Sequence, residues 1–218
     1  MKLSKELEIA KEAAVEAGHI ILEIYNQKFK IDYKEDQSPV TQADRLADEA
    51  IVNRLKNEFP QYAVLSEESK DDLKRLENDW CWIVDPLDGT KEFIKKNGEF
   101  TVNIALTFEH RVVLGVVYIP VKKALFYAVK GEGAFLEEKG EVQRIKVSHR
   151  EYNIRAACSR SHTSEKLKRI LHENGINHLV FAGSALKGCM IAKGDAEIYY
   201  RYGKTSEWDT AALQCVVE

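Results

Sequence analysis

The chain has 218 residues, enough for one large domain or for two closely joined lobes, since single domains typically contain about 100–150 residues. Apolar residues make up 44% of it and charged residues 31%, values that fit a globular protein and exclude a disordered or fibrous one. Its formal net charge is −3, and lysine and arginine are spread along the chain, which argues against binding to nucleic acid.

The first residues are charged where a signal peptide needs an apolar stretch, and no later run approaches the ~18 apolar residues that span a membrane. We therefore expect a cytoplasmic protein without a transmembrane segment. The cysteines form no CxxC pair, so we expect buried, unreactive thiols rather than a zinc or redox site. They are Cys81, Cys158, Cys189 and Cys215.

The first part of the chain contains helical patterns and two strand patterns. Apolar residues at three- to four-residue spacing predict helices over 3–25 and 47–59, the second ended by Pro60. A short strand is expected over 63–65, followed by a charged loop. The continuous apolar run 80–84 predicts a buried strand that leads into an Asp-Pro turn.

The rest of the chain changes from a strand-rich to an alternating pattern. Three strands, over 101–108, 112–118 and 124–129, predict an antiparallel meander that residues 145–147 are expected to close. Beyond residue 148 we expect strands over 154–157, 179–181 and 196–200, and helices over 164–173, 185–192 and 208–217. The pattern predicts an α/β (α+β) protein with lobes over 1–147 and 148–218 and no flexible linker.

Residues 85–90, with the sequence DPLDGT, carry the strongest chemical signal. Two carboxylates three residues apart around a turn can converge on one point, and Gly89 lets a ligand approach the backbone. If Thr90 opens a helix, the free N–H groups of Gly89 and Thr90 form an anion site beside the carboxylates. Because Mg²⁺ prefers oxygen ligands, the segment predicts a site for magnesium and phosphate. An Asp-x-x-Asp pair alone is more typical of a solvent-exposed turn.

Three further segments carry carboxylates for which two interpretations stay open. Asp44, three residues after Thr41, would form a capping box at the start of the second helix. Glu67 would be surface charge after the first short strand, and Asp209 would oppose the dipole of the last helix. The alternative is that all three contribute to the same site as residues 85–90.

The order of these four segments along the chain resembles the inositol monophosphatase superfamily, whose lithium-sensitive members share this succession. The resemblance covers essentially the whole chain and implies a layered α/β/α/β/α sandwich with a metal cluster between the lobes. Members of the family continue past the Trp-Asp motif at 208–209 with a strand and a helix. We therefore expect the last C-terminal elements to be lacking, and a homodimer to cover the apolar surface this leaves.

The resemblance also implies a set of metal ligands, most of them in the first lobe. Two or three Mg²⁺ ions would be bound by Glu67, Asp85, the Leu87 carbonyl, Asp88 and Asp209. Thr90 and Asp44 would orient and deprotonate the attacking water, with Glu67 holding a metal that binds this water. One metal would lower the pKa of the water and another would stabilise the leaving oxygen.

Residues 91–94, 97–106, 159–162 and 183–187 are most similar to the 3'(2'),5'-bisphosphate nucleotidase (CysQ) branch of the superfamily. That branch implies a small-molecule phosphate ester as substrate, namely adenosine 3',5'-bisphosphate, hydrolysed to AMP and phosphate. The substrate contacts it implies are Gly89, Thr90, His162, Ser184, Lys187 and Arg201.

Other interpretations of these segments remain open. Lys187 and Arg201 can also be read as ordinary surface charges. An inositol-1-phosphate or fructose-1,6-bisphosphate phosphatase of the same superfamily is one alternative, and an inactive protein that binds phosphate or nucleotide is another. The chain contains neither GxxxxGK[ST] nor HExxH, which argues against a P-loop nucleotide triphosphatase and a zinc hydrolase.

Overall fold

The computed structural model describes residues 2–71, 73–161 and 163–218. The helices in these ranges are α1 (Ser4–Tyr25), α2 (Gln42–Glu58), α3 (Thr90–Ile94), α4 (Glu165–Glu173), α5 (Leu186–Lys193) and α6 (Glu207–Val217). The strands are β1 (Ile31–Tyr33), β2 (Pro39–Thr41), β3 (Ala63–Ser66), β4 (Trp80–Asp88), β5 (Thr101–Phe108), β6 (Arg111–Ile119), β7 (Ala124–Val129), β8 (Gly133–Glu138), β9 (Glu141–Ile145), β10 (Arg155–Ser159), β11 (His178–Ala182) and β12 (Ile198–Tyr199).

Strands β3 to β9 form one seven-stranded sheet in sequence order. Only the pair β3 and β4 is parallel, and residues 67–79 connect these two strands. The other neighbours are antiparallel; α3 lies in the connection from β4 to β5, and short turns join the rest. Strand β5, the third of the seven, is buried along nearly its whole length, and five of its eight residues are apolar. The expected meander is therefore confirmed and extends through β8 and β9.

Helices cover both faces of this sheet. On one face α1 and α2 pack against each other and against the sheet, and small residues of α1 such as Ala10, Ala14 and Ala17 allow the close approach. On the other face α6 packs against β5 and β6, with its backbone directly over Gly115. A side chain at Gly115 would collide with the carbonyl of Ala212, so a glycine is required there.

A second, parallel sheet has the order β11-β10-β12. Helix α4 packs through Leu167 and Leu171 on Ala156 and Cys158 of β10, while α5 lies between this sheet and α6. The layers are thus helices, sheet, helices, sheet and helix, which confirms the predicted α/β/α/β/α sandwich. The chain leaves the larger sheet at residue 145 and enters the second sheet at residue 155. Helix α6, at the end of the chain, packs on the larger sheet again. A division into lobes at residue 147 stays a prediction.

Several segments differ from the sequence-based expectation. The sheet is closed by β8 and β9, and not by residues 145–147. Strand β4 does not end at Val84 but continues through Pro86 to Asp88, because a bulge accommodates the proline, which cannot donate a hydrogen bond to the sheet. The spacing of apolar residues predicted no element between residues 25 and 47, yet β1 and β2 form a hairpin there and α2 already begins at Gln42. The two strands of this hairpin have three residues each, too few for a period of apolar residues to predict a strand.

All four cysteines are free and buried, as expected. Burial raises the pKa of the Cys189 thiol to about 12 and that of the Cys81 thiol to about 11, so these side chains stay protonated and unreactive. Within the described ranges, no helix is long and apolar enough to cross a membrane.

Candidate active site

The bulge at the end of β4 brings two carboxylates to one point. Asp85 pairs with Asn103 of β5, but Asp88 pairs with Thr101, so three steps along β4 match two along β5. In a regular strand, residues three apart point to opposite faces; the extra residue turns the second side chain back toward the first. The expected convergence is therefore present, although a bulged strand rather than a Pro-initiated turn produces it.

Helix α6 supplies the third carboxylate. Asp209 lies in its first turn, where its Oδ2 accepts a hydrogen bond from the backbone N–H of Ser206 at 2.8 Å. One oxygen each of Asp85, Asp88 and Asp209 lie within 4.8 Å of one another. Asp209 thus lies in the first turn of α6, where it opposes the helix dipole, and also joins the cluster, so the structure is compatible with both interpretations of this residue.

The electrostatics of this acidic cluster fit a bound cation. Burial, together with the nearby carboxylates of Glu67, Asp88 and Asp209, raises the pKa of Asp85 well above its ordinary value. The Oδ1 atom of Asp85 is buried, and no hydrogen-bond donor among the described residues reaches it. An unpaired carboxylate oxygen of this kind is costly unless a cation takes the place of the donor, and an all-oxygen ligand set suits a hard divalent metal.

Glu67 lies beside this cluster and forms a salt bridge with a lysine side chain. It follows β3, and Lys34 of the β1–β2 hairpin donates to its Oε1 at 3.0 Å and to Oε1 of Glu68 at 2.6 Å. Burial opposes the charge of Lys34, yet the two glutamates outweigh it and raise the pKa of Lys34. Glu67 is not one of the three carboxylates within 4.8 Å of one another, although it interacts with the Asp85 carboxyl, and its role as a metal ligand stays a prediction.

Asp44 and Thr90 meet at the start of α2 and α3. The Oγ1 atom of Thr90 donates to Asp44 Oδ1 at 3.0 Å. The other oxygen, Oδ2, accepts from the backbone N–H and the hydroxyl of Thr41 at 2.8 and 2.7 Å. Burial raises the pKa of Asp44, against the opposing effect of these hydrogen bonds. The predicted capping box is confirmed, and the same carboxylate reaches Thr90.

The turn after β11 and the first turn of α5 contribute a hydroxyl and a cationic group beside Asp88. Ser184 Oγ donates to Asp88 Oδ2 at 2.8 Å, and the ammonium of Lys187 donates to the Ser184 carbonyl. Lys187 is only 4% exposed, so it is not the surface charge that one interpretation made it. Burial lowers the pKa of Lys187, the nearby Asp88 opposes this, and the charge of Arg201 lowers it further.

The remaining predicted substrate contacts are Arg201, Gly89 and His162. Arg201 is exposed, and one of its terminal nitrogens donates to the Lys204 carbonyl at 2.9 Å. Gly89 precedes α3 with a φ of 94°, and a Cβ there would lie 3.1 Å from both the Glu99 carbonyl and Ser184 Cβ. Thr90 opens α3, as the motif predicted. His162 lies outside the described residues.

Several polar residues of the site were not singled out from the sequence. Thr101 and Asn103 of β5 are fully buried, and the Thr101 hydroxyl lies 2.9 Å from Asn103 Oδ1 and 2.7 Å from Ser184 Oγ. Polar residues two apart in an otherwise apolar strand are the signal that could have revealed them, because alternate residues share one face. Lys34 offered no such signal.

Comparison with known proteins agrees with this geometry. The family model described as the inositol monophosphatase family matches residues 2–218. The 3'(2'),5'-bisphosphate nucleotidase CysQ of Salmonella typhimurium is 44% identical over 210 residues, which cover 94% of this chain and 84% of the relative.

Two solved structures are similar over nearly the whole chain. CysQ from Bacteroides thetaiotaomicron, described as a bacterial member of the inositol monophosphatase family, is 42% identical with a TM-score of 0.83, covering 97% of this chain and 85% of the other. The extragenic suppressor protein suhB from Bartonella henselae is 28% identical with a TM-score of 0.85, covering 98% and 84%. The chain therefore belongs to the inositol monophosphatase family, in the branch of the CysQ proteins.

Proposed function

We propose that this protein is a Mg²⁺-dependent 3'(2'),5'-bisphosphate nucleotidase that hydrolyses adenosine 3',5'-bisphosphate to AMP and phosphate. The observation that carries the proposal is the 44% identity to a CysQ nucleotidase along 94% of the chain. The acidic cluster beside a buried lysine supports it, because a bisphosphate needs both a metal site and a separate cationic contact.

We propose two or three Mg²⁺ ions in this site. Asp85, Asp88 and Asp209 would hold them, together with the Leu87 carbonyl and Glu67. The choice of metal rests on the donor set, since these are all oxygen atoms and include the unpaired Oδ1 of Asp85. When bound, Mg²⁺ supplies Lewis-acid neutralisation of the phosphoryl charge.

Asp44 and Thr90 have the arrangement of an orienting pair. Because the Thr90 hydroxyl donates a hydrogen bond to Asp44 Oδ1, a lone pair of Thr90 Oγ1 can accept a hydrogen bond from an attacking water. As the proton of this water moves to Oγ1, the hydroxyl proton of Thr90 would pass to Asp44 Oδ1. The raised pKa of Asp44 makes its carboxylate a better proton acceptor than a solvent-exposed aspartate. Glu67 is the third residue that we propose for catalysis.

The substrate is proposed to lie between the two sheets. The amides of Gly89 and Thr90 would contact the scissile 3'-phosphate, while Lys187 and Arg201 would neutralise the retained 5'-phosphate. Ser184 and His162 complete the proposed contacts. A second cation near Lys187 suits a bisphosphate better than a neutral polyol, because it balances charge that inositol 1-phosphate lacks.

A panel of three substrates tests this assignment. With Mg²⁺ present, we expect kcat/KM to be highest for adenosine 3',5'-bisphosphate, compared with inositol 1-phosphate and fructose 1,6-bisphosphate. Arg201→Ala should lower kcat/KM for the bisphosphate nucleotide by about ten- to a hundredfold, the effect of losing one charge-assisted contact worth about 1.5–3 kcal/mol. The matched control is Arg169→Ala, which removes an exposed arginine of α4.

Two results would contradict the nucleotidase assignment: a preference for inositol 1-phosphate, or an equal loss for all three substrates in Arg201→Ala. Binding of nucleotide without release of phosphate in the presence of Mg²⁺ would instead identify an inactive binding protein.

A further inference from the structure

Glu99 joins the seven-stranded sheet to the second sheet at the edge of the site. It lies two residues before β5, and its carboxylate accepts hydrogen bonds from Arg160 Nε at 2.7 Å and from a terminal nitrogen of Arg160 at 2.6 Å. Its Oε2 also accepts the backbone N–H of Gly183 at 2.8 Å. Arg160 follows β10 and Gly183 follows β11, so one carboxylate ties down the carboxyl ends of two parallel strands.

These contacts hold a turn that is unfavourable by itself. Ser184 has a φ of 51°, in the left-handed region that residues with a side chain rarely adopt. Such a conformation persists where the surroundings over-determine it. Here Arg160 contributes further contacts, because its backbone N–H bonds to the Ala182 carbonyl at 3.1 Å and its guanidinium to the Phe181 carbonyl at 2.8 Å.

The turn at residues 183 and 184 also packs closely against the segment that carries Glu99. A Cβ on Gly183 would lie 2.6 Å from Glu92 Cγ and 2.9 Å from the Glu99 carbonyl oxygen. The buried Glu92 accepts a hydrogen bond from Ser161 Oγ at 2.5 Å, which is a second link between the same two parts of the chain. A shift of Glu99 would therefore move residues 183 and 184 directly.

This turn places the hydroxyl of Ser184 next to the acidic cluster. With the backbone fixed by Glu99, Ser184 Oγ reaches Asp88 Oδ2 at 2.8 Å and Thr101 Oγ1 at 2.7 Å. Hydrogen bonds from outside a metal site orient the ligands and commonly change metal affinity by tenfold or more. The carboxylate of Glu99 itself bonds to Arg160 and Gly183 rather than to any residue of the cluster.

We propose that Glu99 is a positioning residue, which acts through the Gly183 amide to hold Ser184 against Asp88 and so sets the geometry of the metal site. The inference rests on the proposed function to the extent that Asp88 is taken as a Mg²⁺ ligand. It assigns to Glu99 no contact with substrate.

A double-mutant cycle on the Mg²⁺ dissociation constant, measured by titration calorimetry without substrate, tests the inference. Ser184→Ala and Glu99→Ala should each weaken Mg²⁺ binding by about tenfold. If Glu99 acts through Ser184, the double variant should bind Mg²⁺ no more than about twofold more weakly than Ser184→Ala alone. Independent effects would multiply to about a hundredfold. Glu99→Gln, which keeps one oxygen for the Gly183 amide, should lose less than Glu99→Ala.

The matched control is Glu197→Gln. Glu197 accepts the backbone N–H and the guanidinium of Arg155, the same kind of contact at the opposite end of β10. It should lower the thermal midpoint without changing the Mg²⁺ dissociation constant. If Glu99→Ala does not fold, as judged by circular dichroism, Glu99→Gln replaces it in the cycle.

Multiplicative losses, or no loss in Glu99→Ala or in Ser184→Ala, would overturn the inference even in an active nucleotidase. A chain that fails to hydrolyse the bisphosphate but shows the non-multiplicative cycle would contradict only the proposed function.

Discussion

Three carboxylates with oxygens within 4.8 Å of one another repel strongly unless a cation lies between them. Asp85 is fully buried and bears the largest part of this cost, because it also lacks a donor for Oδ1. The metal-free protein is therefore expected to be destabilised by its own site.

The first prediction is that Asp209→Asn stabilises the metal-free protein and abolishes Mg²⁺ binding. Asparagine can still accept the Ser206 N–H with its side-chain oxygen, so the helix cap remains while one negative charge is removed. In chelator we expect a thermal midpoint about 2–4 °C higher, corresponding to about 1 kcal/mol in a chain of this size. With millimolar Mg²⁺ the order should reverse, because only the wild type gains stability by binding.

The control for this change is Asp195→Asn, which removes an aspartate whose partner is Lys193 rather than another acid. It should not raise the midpoint in chelator. A lower midpoint for Asp209→Asn in chelator would show that the cluster is not under electrostatic strain.

The second prediction separates the hydroxyl of Thr90 from its shape. Thr90→Val should lower kcat by about 10²–10⁴-fold, the usual contribution of a positioned proton acceptor, and should leave Mg²⁺ binding within about twofold. Thr90→Ser keeps the hydroxyl that bonds to Asp44 and should retain most of the activity. Equal rates for the valine and serine variants would exclude Thr90 from proton transfer.

At the level of residues, the sequence predicts contacts within short segments and misses side-chain contacts between segments that are far apart in the chain. The convergence of Asp85 and Asp88 and the capping box at Thr41 involve residues three positions apart, so the sequence predicted both, although it predicted a turn where the structure has a bulge. Lys34 bonds to Glu67 across 33 positions and Glu99 bonds to Gly183 across 84, so no spacing rule connects them. These contacts depend on how two sheets are placed.

At the level of elements, helices were predicted more completely than strands. The period of apolar residues identifies α1, α4 and α6 to within one or two residues, because one face of each is buried against a sheet. Strands β1, β2, β8 and most of β9 escaped prediction, because β1 and β2 are too short for a period to show and β8 does not alternate between apolar and polar residues. These strands are stabilised by the neighbouring strands of the sheet, and the pattern of their own residues contributes little.

The third prediction concerns the packing of α6 against the seven-stranded sheet. Gly115→Ala would press on the Ala212 carbonyl of α6, a backbone contact that cannot rotate away. We expect a loss of about 1–3 kcal/mol in the free energy of unfolding, as for other overpacked cores, measured by urea denaturation. Mg²⁺ binding should weaken as well, because Asp209 moves with its helix.

Gly188→Ala is the matched comparison for this change. Its new methyl group would meet the end of the Leu213 side chain at 2.5 Å, which can change rotamer. Alanine also favours the α5 helix by about 0.5–1 kcal/mol relative to glycine. We therefore expect Gly188→Ala to lower the free energy of unfolding less than Gly115→Ala does. A larger loss for Gly188→Ala would show that α6 can shift its position on β6.

At the level of the whole molecule, the two sheets are supported by cores of different size. The seven-stranded sheet is buried between α1 and α2 on one face and α5 and α6 on the other. The buried apolar cluster between β10 and α4 consists of Ala156, Cys158, Leu167 and Leu171. Regions with little buried apolar surface open more readily than the rest of a protein.

The last prediction is that amide hydrogen exchange divides the chain by packing rather than by sequence order. Amides of β10 and β11 should exchange at least about tenfold faster than those of β5 and β6, because opening the small cluster exposes less apolar surface. Helix α6 follows β12 in the chain but packs on β6, so its amides should exchange as slowly as those of the large sheet. Mass spectrometry of peptides covering 155–182 and 207–217, in chelator and with Mg²⁺, measures both. If residues 207–217 exchange together with 155–182, the two halves of the chain open as units divided near residue 147. Slow exchange of 207–217 alone would instead mean that Asp209 belongs to the stable sheet. The movable wall of the site would then be the turn at Ser184.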